Sequence, residues 1–172
     1  MKIAIISSAS ELVTKENEVV TTQIVESLRG LKSVEILTGG CRGVPGIIVE
    51  KAKALGIKTV AYSPDENKIS HQERFDNQDL QYFDEVNHHK GFTLRSLVML
   101  QDADAVLVLN GRIGTLSEFA IALEEGRRVG VITNTGGIAD ELEHIVKVSK
   151  KDFSGKIFFN DDPVKVIDWL VF

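Results

Sequence analysis

Residues 109–118 read LNGRIGTLSE. An apolar run, ADAVLVL, ends here, and a helical pattern, LSEFAIALEEG, begins. Between them Gly111 and Gly114 bracket Arg112, while Thr115 and Glu118 fall at the spacing T-x-x-E. Two kinds of chemistry fit these residues. In the first, Thr115 is a helix N-cap and Glu118 completes a capping box, each satisfying backbone N–H groups of its own helix. In the second, the glycines let backbone N–H groups approach an anion at a helix amino end. Thr115 then faces that anion, and Glu118 stands in a cleft as a catalytic or ribose-binding carboxylate. The spacing by itself favours the cap.

A related stretch lies upstream. TGGCRGVPG, Thr38 to Gly46, places Gly39 and Gly40 after a strand, Gly43 in the turn and Gly46 at a helix start. A phosphate cradle and a tight turn explain this loop equally well. Its spacing matches neither the dinucleotide fingerprint GxGxxG nor the GK[ST] phosphate loop, which argues against an ordinary NAD or ATP site. Cys41 beside the glycines reads as a small residue in a crowded turn rather than a nucleophile. His71, His88 and His89 lack the accompanying ligands of a metal centre, so no metal site is expected. Ser7 and Ser8 close the first strand, and Asn134, Thr135, Gly136 and Gly137 form a third polar turn; each fits a ligand contact or turn chemistry.

These loops need a scaffold that brings them together. Strands are expected at Lys2–Ser7, Val34–Thr38, Ile57–Ser63, Gln81–Asn87, Ala103–Leu109, Arg127–Thr133 and Lys156–Phe159. Helices are expected at Asn17–Leu31, Pro45–Leu55, Gly91–Gln101, Thr115–Glu125, Gly137–Val146 and Pro163–Leu170. In the first helix Val20, Ile24, Leu28 and Leu31 recur at spacings of three and four, the mark of one buried face. Pro64–Leu80 is polar and aperiodic, which predicts a long loop with at most a helical turn. IKTVAYS and ADAVLVL are apolar on both faces, as in a parallel sheet covered on both sides. The alternation predicts an α/β, doubly wound, Rossmann-like parallel sheet with helices on both faces, a single domain over residues 1–172. In such sheets ligands sit beyond the strands' carboxyl ends. All the polar loops above share that edge.

Composition narrows the function classes. The 172 residues are 43% hydrophobic and 26% charged, ordinary for a globular domain. The formal charge of −5 argues against a nucleic-acid partner. No apolar run approaches the ~20 residues of a membrane helix, and that of MKIAIISSAS is too short for a signal segment. One cysteine excludes an internal disulfide and fits a cytoplasmic setting.

Taken in order, TGGCRGVPG, the segment RSLVM (Arg95–Met99), ADAVLVL and NGRIGTLSE resemble the LOG family, whose superfamily includes the molybdenum-cofactor carrier proteins. That family shows GGGxxGLM, an arginine helix Rxx(x)M, and PGGxGTxxE. Glu118 follows Arg95 by 23 positions, in keeping with its order and spacing. The resemblance covers roughly Lys2 to Ile132. It implies a nucleotide-type phosphate ligand, a nucleoside monophosphate or the molybdenum cofactor, with no further cofactor required. It also implies a homo-oligomer, a dimer, with the Gly91–Gln101 helix at the interface. In LOG enzymes the reaction is hydrolysis of a nucleoside 5′-monophosphate to base and ribose 5-phosphate. Carried over, Gly40, Gly43, Gly114 and Thr115 hold the phosphate, and Ser7, Gly39, Gly111 and Arg112 complete the binding set. Arg95 binds phosphate or ribose and Glu118 serves the reacting sugar, stabilising positive charge on the ribose or activating water. The alternative is a non-catalytic carrier or nucleotide sensor.

The chain departs from the pattern at Asn110-Gly111-Arg112, which replaces PGG, at Cys41 for the third glycine, and at Val44-Pro45. Arg112 would clamp a second phosphate, obstruct a monophosphate, or point into solvent. The "lysine decarboxylase" label some relatives carry finds no support, because no lysine lies in either glycine loop.

Overall fold

The computed structural model describes residues 1–9, 14–75 and 80–172. Within them seven strands form one parallel sheet: β1 (Lys2–Ile6), β2 (Glu35–Thr38), β3 (Lys58–Ser63), β4 (Glu85–His88), β5 (Ala105–Leu109), β6 (Arg128–Ile132) and β7 (Ile157–Asn160). Their order is β4-β3-β2-β1-β5-β6-β7. Among the described residues seven helices connect or follow them: α1 (Lys15–Arg29), α2 (Val44–Ala54), α3 (Lys68–Arg74), α4 (Phe92–Asp102), α5 (Ile113–Glu124), α6 (Leu142–Ser149) and α7 (Pro163–Val171). This is the expected Rossmann-like α/β architecture.

The strand sequences explain the two layers. Side chains alternate along β1, so Ile3 and Ile5 join one apolar core and Ala4 and Ile6 the other. The first core takes Ile24 and Leu28 of α1, Ile48 of α2 and Ile167 of α7. The second takes Met99 of α4, Phe119 of α5 and Leu142 of α6. Every residue of β5 is buried, as its unbroken apolar run requires.

Three boundaries differ from expectation. Gln81 and Tyr82 belong to a 3-10 turn, and the edge strand β4 begins only at Glu85. The predicted 137–146 helix is a 3-10 turn over Gly137–Glu141 followed by α6. Within the predicted long loop, Lys68–Arg74 folds as α3, started by Asn67, whose side chain accepts from the Ser70 N–H at 3.0 Å. Residues 76–79 of that loop, like residues 10–13, lie outside the described residues. Among the described residues no helix is long and apolar enough to cross a membrane.

Candidate functional site

The chain leaves β1 toward β2 on one side, and β5 occupies the other. Their carboxyl ends therefore flank the topological switch point, where open α/β sheets place a crevice. A cavity of about 300 Å³ opens there. Ser7 and Ser8 after β1, Arg95 and Ser96 of α4, and Arg112, Gly114, Thr115 and Glu118 at the start of α5 all line it.

Arg95 and Glu118 meet across the α4–α5 contact, Nη1 to Oε1, at 2.9 Å. Their side chains are 13% and 9% exposed, so water screens the pair weakly. The Ser96 hydroxyl donates to the same Glu118 oxygen at 2.8 Å. Arg95 is seated against the first glycine loop: a Cβ on Gly39 would lie 2.5 Å from its Nη1. Glycine at position 39 thus makes room for the guanidinium rather than for a turn. The capping-box alternative fails. Helix α5 starts at Ile113, its N-cap is Arg112 with no side-chain cap bond, and Thr115 is already helical.

The second loop is bent by its own packing. Asn110 and Gly111 both have positive φ, 54° and 100°. A Cβ on Gly111 would lie 2.5 Å from Thr115 Oγ1. The third turn holds this bend from behind. Thr135 Oγ1 accepts from the Asn110 N–H at 2.7 Å, and the Ile138 N–H donates to the Gly111 carbonyl at 3.0 Å. Gly137 approaches so closely that a Cβ there would come 2.3 Å from the same carbonyl. Thr135 and Gly137 therefore brace the loop. The result aims the amino end of α5 at the cavity, with Gly114 open in front of it.

The first loop is fixed by a histidine. His71 is fully buried; its Nε2 lies 2.9 Å from the Gly40 carbonyl and its Nδ1 2.8 Å from Ser63 Oγ. Burial, the largest influence, pulls the His71 pKa below the ordinary value. Gly43, with φ 76°, is the N-cap of α2. Cys41 lines the cavity, but burial pushes its thiol up to about 11, which keeps it protonated and poorly nucleophilic at neutral pH. His88 Nδ1 contacts the Asp65 carbonyl at 3.0 Å, and His89 stacks on Tyr62. Among the described residues no three His, Cys, Asp or Glu side chains gather as a metal site would need.

Of the residues singled out from sequence, Ser7, Arg95, Arg112, Gly114, Thr115 and Glu118 line the cavity. Gly39, Gly40, Gly43 and Gly111 stand behind it as spacers and turns. Sequence reasoning missed Ser96 and Phe92, which share the cavity face of α4 with Arg95. The i, i+3, i+4 spacing of 92, 95 and 96 carried that signal. It also missed His71 as a buried link. Among the described residues, Ser7 Oγ and Arg95 Nε are buried without a hydrogen-bond partner, and both belong to cavity residues. Such atoms ask for one. The arrangement joins a helix amino end suited to an anion with a carboxylate–arginine pair suited to polar groups of the same ligand.

Known structures share this fold. The molybdenum cofactor carrier protein of Chlamydomonas reinhardtii superposes with a TM-score of 0.75 at 17% identity, over 99% of this chain and 97% of that one. DNA processing protein A from Helicobacter pylori, described by its single-stranded DNA binding mode, superposes with a TM-score of 0.64 at 18% identity, over 86% of this chain and 73% of that one. The second likeness overturns the expectation of no nucleic-acid partner. Net charge sums the whole surface, whereas binding depends on local potential, so a formal charge of −5 does not exclude such a ligand. A protein of uncharacterised function from Archaeoglobus fulgidus is 31% identical over 94 residues, 55% of this chain and 56% of that relative. The chain thus matches little more than half the length of that relative. A family model matches residues 1–167, and the chain belongs to the SLOG cluster4 family.

Proposed function

We propose that the cleft binds a phosphorylated nucleoside or a nucleotide-like cofactor, the molybdenum cofactor included. The observation that carries this is the buried Arg95–Glu118 pair on the cleft wall beside the amino end of α5. In this reading the N–H groups of Gly114 and Thr115 take the phosphate, favoured by the helix dipole. Arg112 flanks the anion. Ser7, Arg95 and Glu118 meet the sugar or its equivalent. Calorimetric titration with nucleosides and their 5′-monophosphates tests it. Saturable binding of monophosphates but not of nucleosides is expected. Absence of binding to every phosphorylated ligand, by protein that unfolds cooperatively, would overturn it. A single-stranded oligonucleotide belongs in the same panel, and its binding alone would replace the reading.

A second reading, N-glycosidic hydrolysis, draws on one further observation: both Glu118 contacts fall on Oε1. In that reading Oε2 serves the sugar. Water adds to the anomeric carbon, the bond to the base breaks, and the products are free base and ribose 5-phosphate. The carboxylate stabilises positive charge on the ribose or takes the proton of the water. Chromatography of free base after incubation with monophosphates decides it. Release that disappears in Glu118→Gln is expected of a hydrolase. Tight binding without release identifies a carrier or sensor.

A further inference from the structure

Neither reading of the cleft uses Phe92. This residue opens α4 directly after Gly91, the N-cap, whose φ is 90°. Its side chain is 52% exposed and belongs to none of the apolar clusters formed by the described residues. Among those residues it is the one aromatic side chain that lines the cavity. Two guanidiniums approach the ring without closing on it. Arg74 of α3 places its Cζ 5.5 Å from the ring centroid, and Arg95 of α4 places its Cζ at 6.0 Å. Carbon atoms in contact lie about 3.5–4.0 Å apart, so both cations stand off the ring. Each is anchored by a carboxylate. Arg74 Nε donates to both oxygens of the buried Asp65 side chain, at 2.7 and 3.0 Å, and Arg95 is paired with Glu118. Positive charge is thus held beside Phe92 from two helices.

We propose that Phe92 is a specificity-determining residue of the cleft: its ring stacks on the flat heterocycle of the ligand, so the site selects nucleotides over sugar phosphates that carry no base. This rests on the binding reading above. In that reading the phosphate lies at the α5 amino end and the sugar at the Arg95–Glu118 pair, which leaves the heterocycle without a partner. Phe92 precedes Arg95 by three positions, so the two project from one face of α4, about 4.5 Å apart along its axis. The exposed ring therefore stands next to the group assigned to the sugar. Stacking accepts any base, because every base has a π-face, and it strengthens with ring area. The anchored guanidiniums add to it, since they are drawn to the π-electrons of a bound base as they are to the phenyl ring.

Calorimetric titration with AMP, CMP and ribose 5-phosphate tests this, because the three share phosphate and sugar and differ in the ring. Wild-type protein is expected to bind AMP about tenfold more tightly than ribose 5-phosphate, with CMP between them. Phe92→Leu keeps an apolar side chain and removes the aromatic face. Its preference for AMP should largely vanish while its affinity for ribose 5-phosphate stays that of the wild type. Phe92→Tyr keeps the ring and should keep the preference. Phe92→Trp adds an optical signature: its extra fluorescence should be quenched by AMP and not by ribose 5-phosphate, against a wild type whose sole tryptophan is Trp169. A preference that survives in Phe92→Leu, or equal wild-type affinities for all three ligands, overturns the stacking role and leaves the binding reading standing. Equal weakening of AMP and ribose 5-phosphate in Phe92→Leu also overturns it, since the ring would then serve only to bracket α3 against α4. No binding of any of the three, by protein that unfolds cooperatively, overturns the stacking role together with the nucleotide reading beneath it.

Discussion

The first glycine loop, residues 38–46, and the second, residues 110–118, look alike as sequence and are used in different directions. Glycines of the first admit side chains from behind: Gly39 seats the Arg95 guanidinium and Gly40 meets the His71 ring. In the second, Gly111 yields to Thr115, whereas Gly114 has nothing within 4 Å of a built Cβ and lies on the cavity wall. One loop is shaped by what packs beneath it, and the other presents a helix end outward. A glycine-rich loop therefore says little until each glycine is asked what occupies its missing side chain.

The harshest way to break the comparison is Gly111→Ala. It forces a Cβ onto Thr115 and an L residue to a φ of 100°. Strain and overpacking together should cost about 3 kcal/mol. In a chain of this size that lowers the melting midpoint by about 10 °C. A midpoint unchanged on thermal denaturation would mean that Thr115 does not pack there.

The next effect tests the first loop. Gly39→Ala should destabilise the protein by about 2 kcal/mol, through displacement of Arg95 from its buried pair with Glu118. In an Arg95→Ala background the same change meets open space, so its penalty should largely vanish. A coupling of about 1–2 kcal/mol in a double-mutant cycle measured by denaturant unfolding is the expected result. Equal penalties in both backgrounds would show that Gly39 answers to something other than the guanidinium.

Helix position explains why these roles were only partly legible. The sheet was readable because ADAVLVL and IKTVAYS are apolar on both faces. The start of the edge strand β4 was not, because its residues are only half-buried or exposed and leave no clean pattern. Helix α3 carries no period of its own; burial of His71 beneath Gly40 anchors it, and that contact is 31 positions away in sequence. The Thr115–Glu118 spacing suggested a cap, but α5 begins two residues earlier. What decides that start is the bend at Asn110 and Gly111, braced by Thr135 and Gly137 from a distant turn. Arg95 was named from resemblance and Glu118 from its own loop, yet their pairing crosses two helices that no local pattern joins.

Gly114→Ala separates stability from binding. The position lies in the first turn of α5, with a φ outside the left-handed region and no neighbour in reach. Alanine should hold or raise stability by about 0.5 kcal/mol. Its methyl group nevertheless enters the cavity in front of the helix end, so monophosphate affinity should fall several-fold. Undiminished affinity would move the phosphate away from the α5 amino end.

Arg112→Ala has the smallest expected effect on the fold and sharpens the second loop most. The side chain is exposed and lines the cavity, and as N-cap it makes no side-chain cap bond. Its removal should change stability by no more than about 0.5 kcal/mol. If it clamps a phosphate, affinity falls and the salt dependence of binding weakens with it, because a screened charge contact is lost. If it obstructs the cleft, affinity for a monophosphate rises instead. If it points only into solvent, neither changes. Titrations at two ionic strengths separate these outcomes. A fall in affinity at low salt that fades at high salt would assign Arg112 to the phosphate, and would make it a device for recognising a more highly charged ligand.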